Sequence, residues 1–135
     1  MLTHEITKNM TVAPYDFRLT KLDAFSGASL LRILYQFLPA EQGEASDAEL
    51  LQKLFTSLPD DTLHPLMRKC LSHAEVKLPA GYIRVLDHDC WGLPELEYMA
   101  PLCLRLTAEV CLWTLEGFFP GSGSPSGSAK RPSSP

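Results

Sequence analysis

Two apolar stripes run side by side through the last long helical segment of this sequence. Leu96, Met99, Cys103, Leu106, Val110 and Trp113 step by three and four, and Leu104, Ala108, Cys111, Leu115 and Phe118 form a second set at the same spacing. A helix with one apolar stripe lies on a surface. A helix with two either buries both faces or buries one and offers the other to a partner. Pro94 suits the first helical position, and Glu95 and Glu97 suit the positive end of the helix dipole. Pro101 predicts a kink or a break, and Gly117 predicts the end.

A second segment, Asp23 to Leu38, is apolar almost all round. Asp23 or Ser26 can cap it and Pro39 stops it. Phe25, Ala28, Leu31, Leu34, Tyr35 and Leu38 follow helical spacing, with Leu30, Ile33 and Phe37 adding apolar surface on the other side, so the helix is either central or meets a partner; Arg32 is its one basic residue. Between these two helices lie two shorter ones. Ser46 and Glu49 form an S-x-x-E capping box opening a helix to about Leu58, with Leu50, Leu51, Leu54 and Phe55 inward. Asp60 or Asp61 can cap the next, which the spacing carries to about Val76 with Leu63, Leu66, Met67, Cys70 and Leu71 inward and Pro65 in its first turn. Tyr82 to Leu86 reads as a short strand or an extended link.

The N-terminal part reads differently. The alternation around Tyr15–Leu19 and the β-formers from Thr11 to Leu22 predict a hairpin, with Pro14 marking an edge strand or a bulge. The expected fold is therefore mostly α, of the α+β kind. A β-hairpin over residues 1–22 packs on a bundle of about four helices over 23–119, the last one long and kinked at Pro101. Residues 1–119 make one folded domain, and 120–135 a flexible tail, since thirteen of those sixteen residues are Pro, Gly or Ser.

Charge and composition exclude several classes. All sixteen acidic residues but ten of the twelve basic ones precede Pro120, which leaves that part at about −6, and no basic stripe is interleaved with aromatics. Nucleic-acid binding is not expected. No run of about 18 uncharged apolar residues exists, so no membrane span is expected. Met1 to Met10 carries His4, Glu5 and Lys8 without an apolar core, so no signal peptide is expected and the cytoplasm is the expected location. Cys70, Cys90, Cys103 and Cys111 show no CxxC pattern and read as free thiols.

Three arrangements have a chemical reading, each outweighed by a plainer one. Asp87-His88-Asp89-Cys90 offers four metal-binding side chains, but consecutive residues seldom converge on one ion, and a polar turn accounts for them. Cys70 and His73 stand three apart, yet no third orienting group accompanies them and Cys70 falls on an apolar face. Asp60-Asp61 stands where helix starts favour Asp. There is no P-loop, GxGxxG, HExxH or GxSxG. No enzyme activity, metal or cofactor is expected.

The two ends of the chain carry a family likeness. Tyr15-Asp16-Phe17-Arg18-Leu19-Thr20-Lys21-Leu22-Asp23-Ala24-Phe25, running into Leu30-Leu31-Arg32-Ile33-Leu34, resembles the opening of bacteriophage tail assembly chaperones, where a short strand passes through a "leucine, small residue, phenylalanine" step into a first amphipathic helix. Leu106 to Phe119 is similar to that family's final helix, which often finishes in a phenylalanine pair; Glu116-Gly117 stands here in place of the usual asparagine.

The resemblance implies a small, mostly helical, acidic protein that coats the tape measure protein of a phage tail and keeps it soluble. It also implies a longer product, made by a −1 ribosomal slip, that recruits the tail tube protein. Such a task needs no catalysis, only apolar surface offered reversibly by a negatively charged protein. Leu30, Ile33 and Phe37 on the first helix and Leu104, Cys111, Leu115 and Phe118 on the last are the expected partner-binding residues; self-association is open. The competing readings are a general helical adaptor or secretion-type chaperone for another partner, and a small thiol or metal-dependent enzyme.

Overall fold

The structure, a computed structural model, describes residues 6–37 and 46–116. Among them a four-stranded antiparallel sheet and four helices make an α+β fold. Strands β1 (Thr7–Val12) and β2 (Tyr15–Thr20) form the expected hairpin. Pro14 lies in its two-residue turn, after a cis Ala13-Pro14 bond, rather than in a strand or a bulge. Helices α1 (Ala24–Phe37), α2 (Asp47–Ser57) and α3 (Asp60–Ser72) follow, then β3 (Ala74–Leu78) and β4 (Gly81–Arg84). A two-strand ribbon, β5 (Leu86–Asp87) and β6 (Cys90–Trp91), and a 3-10 helix at Pro94–Tyr98 lead into α4 (Ala100–Thr114).

The sheet runs β1-β2-β3-β4, so the hairpin is half of a larger sheet. The third helix stops at Ser72, four residues before the expected end, because Ala74–Leu78 alternates and pairs with β2: Leu19 faces Ala74 and Phe17 faces Val76, all four fully buried. Ala74 also falls four residues after Cys70, which prolonged the helical spacing by coincidence. The N-cap position of α3 belongs to Pro59, with no side-chain hydrogen bond, so Asp60 and Asp61 are first-turn residues rather than caps. Pro65 sits a turn deeper than expected and has no N–H to offer the Asp61 carbonyl. The α2 capping box is present in both halves, the Glu49 N–H donating to Ser46 Oγ and the Ser46 N–H to Glu49 Oε1.

The long last helix is split. Met99, at φ −114° and ψ 70°, separates the 3-10 helix from α4, and Pro101 stands in the first turn of α4, where its missing N–H costs nothing. Both stripes of α4 are largely buried, including Leu102, Cys103, Leu106, Ala108, Val110, Cys111 and Trp113, with Leu115 just past its end. The buried Thr107 hydroxyl is satisfied by the Cys103 carbonyl at 2.8 Å. Helix α4 is thus the central element, packed on α2, α3 and β2. Tyr15 donates to a Glu95 carboxylate oxygen, and this holds its phenol above the ordinary range while tying the hairpin to the 3-10 helix. No described helix is long and apolar enough to cross a membrane. The proposed tail, 120–135, lies outside the described residues.

Candidate interaction surface

Helix α1 enters the fold along a constrained path. The Leu22 N–H donates to Thr114 Oγ1 at 3.0 Å, and a Cβ placed on Gly27 would meet Thr114 Cγ2 at 3.8 Å, so the start of α1 lies against the end of α4. Asp23 stands at the helix start, where hydrogen bonds from Ser26 hold its carboxyl below the usual range. These anchors decide which face turns inward. Leu30 and Leu34 are buried, and Leu31, Ile33 and Phe37 are half-buried against the core. Phe25 is 86% exposed and Tyr35 79% exposed. With exposed Ala28 and Arg32 they form an outward stripe at i, i+3, i+7 and i+10. The helical set is therefore split: Phe25, Ala28 and Tyr35 face solvent, Leu31 and Leu34 turn inward, and Leu30, Ile33 and Phe37, expected to meet a partner, face the core. Arg32 was the available signal, because a lone guanidinium belongs outside and it shares its face with Phe25 and Tyr35.

The six described residues of the seven expected contacts do not come together as an exposed surface. Leu30 and Cys111 are fully buried and Leu115 is nearly so, which makes them core; a partner could reach none of them without opening the fold. Ile33, Phe37 and Leu104 are half-buried and pack against the same core. Phe118 lies outside the described residues. The doubled stripe of α4 is explained by burial on both sides.

The polar arrangements resolve as follows. Asp87 and Cys90 flank a two-residue turn in which His88 (φ 52°) and Asp89 (φ 67°) both adopt left-handed conformations, as a tight hairpin of this handedness demands. Its carboxylates are engaged: Asp87 with His88 Nδ1 at 2.8 Å and Arg84 at 3.6 Å, Asp89 with Arg68 at 3.3 Å. Among the described residues no three His, Cys, Asp or Glu side chains converge as a metal site. Cys70 Sγ lies 3.8 Å from Cys111 Sγ in the core; that contact and burial push the Cys70 thiol well above its ordinary pKa, the opposite of an activated nucleophile. His73 is half-buried, and burial together with the nearby Lys69 charge lowers its pKa. Asp60 faces His64 at 3.8 Å on the surface.

An open cleft of about 690 Å³ lies between α3 and the β5–β6 ribbon and is lined by Arg68, Lys69, His73, Arg84, Asp87 and Asp89 among others. Its acids and two of its three Lys and Arg side chains are ion-paired across or beside it. No family model, no curated protein and no solved structure matches the chain.

Proposed function

We propose that this protein is a non-catalytic tail assembly chaperone that binds apolar helical surface of a phage tape measure protein and keeps it soluble in the host cytoplasm. The observation that carries the reading is the outward stripe of α1, Phe25, Ala28, Arg32 and Tyr35, on a helix whose opposite face is already anchored in the core. Two large aromatic side chains exposed ten residues apart on one helix face cost solvation unless a partner covers them, and an amphipathic helix is the partner such a face fits. Two further features support it. The strand-to-helix step that resembles the family leads directly into this stripe, from Tyr15 through Phe25. The surplus of acidic residues before Pro120 keeps a chaperone and its apolar cargo in solution. A longer, frameshifted product that engages the tail tube protein belongs to the same proposal, since Gly117-Phe118-Phe119 can be encoded by a slippery T-TTT-TTC string.

The deciding experiment is co-expression from native DNA, downstream region included, with an N-terminal tag and the tape measure protein untagged. The reading expects the tape measure chain to stay soluble and co-purify, and a longer minor band to accompany the main product. A tape measure chain that aggregates equally with and without the protein refutes it and favours an adaptor for another partner.

A further inference from the structure

The four cysteines are not equivalent. Cys90 is exposed on β6, and Cys103 Sγ donates to the Leu96 carbonyl at 3.3 Å. Cys70 and Cys111 meet each other instead, fully buried, with their sulfurs 3.8 Å apart. That is van der Waals contact, so no atom lies between them. Cys70 stands in the last turn of α3 and Cys111 in the last turn of α4, two helices that pack directly. One buried cysteine is a small hydrophobe like any other. Two in contact across a helix interface make a dithiol. A disulfide asks for a sulfur–sulfur distance of about 2.05 Å, so closure takes about 1.8 Å, or about 0.9 Å from each side chain. A χ1 rotation of about 30° sweeps that arc, so the approach is of the size that side-chain rotation supplies.

We propose that Cys70 and Cys111 are a redox-sensitive pair, which a small hydroperoxide oxidises to a disulfide that staples α3 to α4. The peroxide first meets one sulfur as its thiolate. An S–O bond forms, the O–O bond breaks and hydroxide leaves, with a sulfenic acid behind it; the hydroxide takes up the proton that the thiol gave up. The second thiol attacks the sulfenic sulfur. The S–S bond forms, the S–O bond breaks, and the oxygen leaves as water with the second thiol's proton. Two thiols and one peroxide thus give one disulfide and two waters, the thiols losing the two electrons that the peroxide gains.

The packing that joins the two sulfurs governs when they react. The contact with Cys111 and burial hold the Cys70 thiol protonated, and neither sulfur touches water. The first step therefore belongs to the moments when α3 lifts from α4. When the helices close again, the second sulfur returns to contact, which favours the disulfide over further oxidation of the first. The link joins residues 41 apart in sequence and encloses β3, β4, the β5–β6 ribbon, the 3-10 helix and most of α4. It takes conformational freedom from the unfolded chain, and it adds nothing to the outward face of α1.

The test uses the full chain carrying Cys90→Ser, which removes the exposed thiol and with it cross-links between copies. After treatment with hydrogen peroxide at about 1 mM, remaining thiols are counted by alkylation in denaturant and unreduced peptides are mapped. The count is expected to fall from three to one, with Cys70 and Cys111 in one linked pair of peptides and Cys103 alkylated. The melting temperature is expected to rise by about 5–15 °C, and dithiothreitol to restore both the count and the original value. Adding Cys103→Ser is expected to leave the link in place, a readout that does not require Cys70 or Cys111 to be replaced. Three thiols that persist at a dose consuming Cys90 in the wild type, a link through Cys103, or a linked form that melts below the reduced one overturns the proposal. None of these results touches the chaperone reading, whose test is the solubility of the tape measure chain.

Discussion

Burial separates side chains that look alike in the sequence. Leu106 is fully buried and Phe25 is almost fully exposed, though each belongs to an apolar helical stripe. Leu106→Ala is expected to cost about 2–5 kcal/mol by leaving a cavity, and Phe25→Ala less than about 0.5 kcal/mol, read from chemical denaturation of the two variants. Leu115→Asp buries a carboxylate in the core and is expected to unfold the chain, which is why it cannot serve as a probe of partner binding. His73 makes a pH prediction. Burial and Lys69 depress its folded pKa, Arg84 acts in the same direction, and Asp23 opposes them. Its contribution to stability is therefore complete above the unfolded value of 6.5 and is lost as the pH falls through the lowered folded value. His73→Gln is expected to flatten the fall in stability below pH 6.5; an unchanged slope would show that another group sets it.

At the level of elements, local signals were legible where the chain solves its own hydrogen-bonding problem. The α2 capping box stands as the Ser46–Glu49 spacing implies, and Ser46→Ala is expected to lower stability by about 1 kcal/mol, seen as a lower melting temperature. Prolines at 59 and 101 mark a helix start and a break. The boundary between α3 and β3 was not legible, because Cys70, Leu71 and Ala74 fit a helix while Ala74, Val76 and Leu78 fit a strand. What decided it was β2, which offers Phe17 and Leu19 as partners from more than fifty residues away. Gly92 is of the same kind: nothing adjacent in sequence demands glycine, but the backbone of Arg84 leaves no room for a Cβ. Gly92→Ala is expected to lower the melting temperature markedly by prising the ribbon from β4, whereas Ala28→Gly, on the exposed face of α1, costs only helix propensity of about 1 kcal/mol.

At the scale of the whole molecule, α4 serves as the central post and leaves α1 half in and half out. The proposed partner surface follows from that placement. Phe25→Asp and Tyr35→Asp are expected to keep the melting temperature of the wild type and to lose the tape measure chain from the co-purified complex, while Phe37→Asp, which puts charge against the core, is expected to lose stability first. If both exposed variants retain the partner in full, α1 is not the contact. The six described residues chosen from the stripes, Leu30, Ile33, Phe37, Leu104, Cys111 and Leu115, form no exposed surface for a geometric reason. A stripe records that a face is apolar and holds no record of what lies beside it, so core and contact are written in the same residues.

Periodicity, caps and prolines thus determined the hairpin, four helical segments and a break near Pro101, because each depends on residues within a few positions of one another. Only the tertiary structure decided that the hairpin belongs to a four-stranded sheet, that both faces of α4 are covered, and that α1 turns Phe25 and Tyr35 to solvent. Those outcomes depend on contacts between distant segments, such as Thr114 with Leu22 and Val76 with Phe17, whose partners no local pattern names.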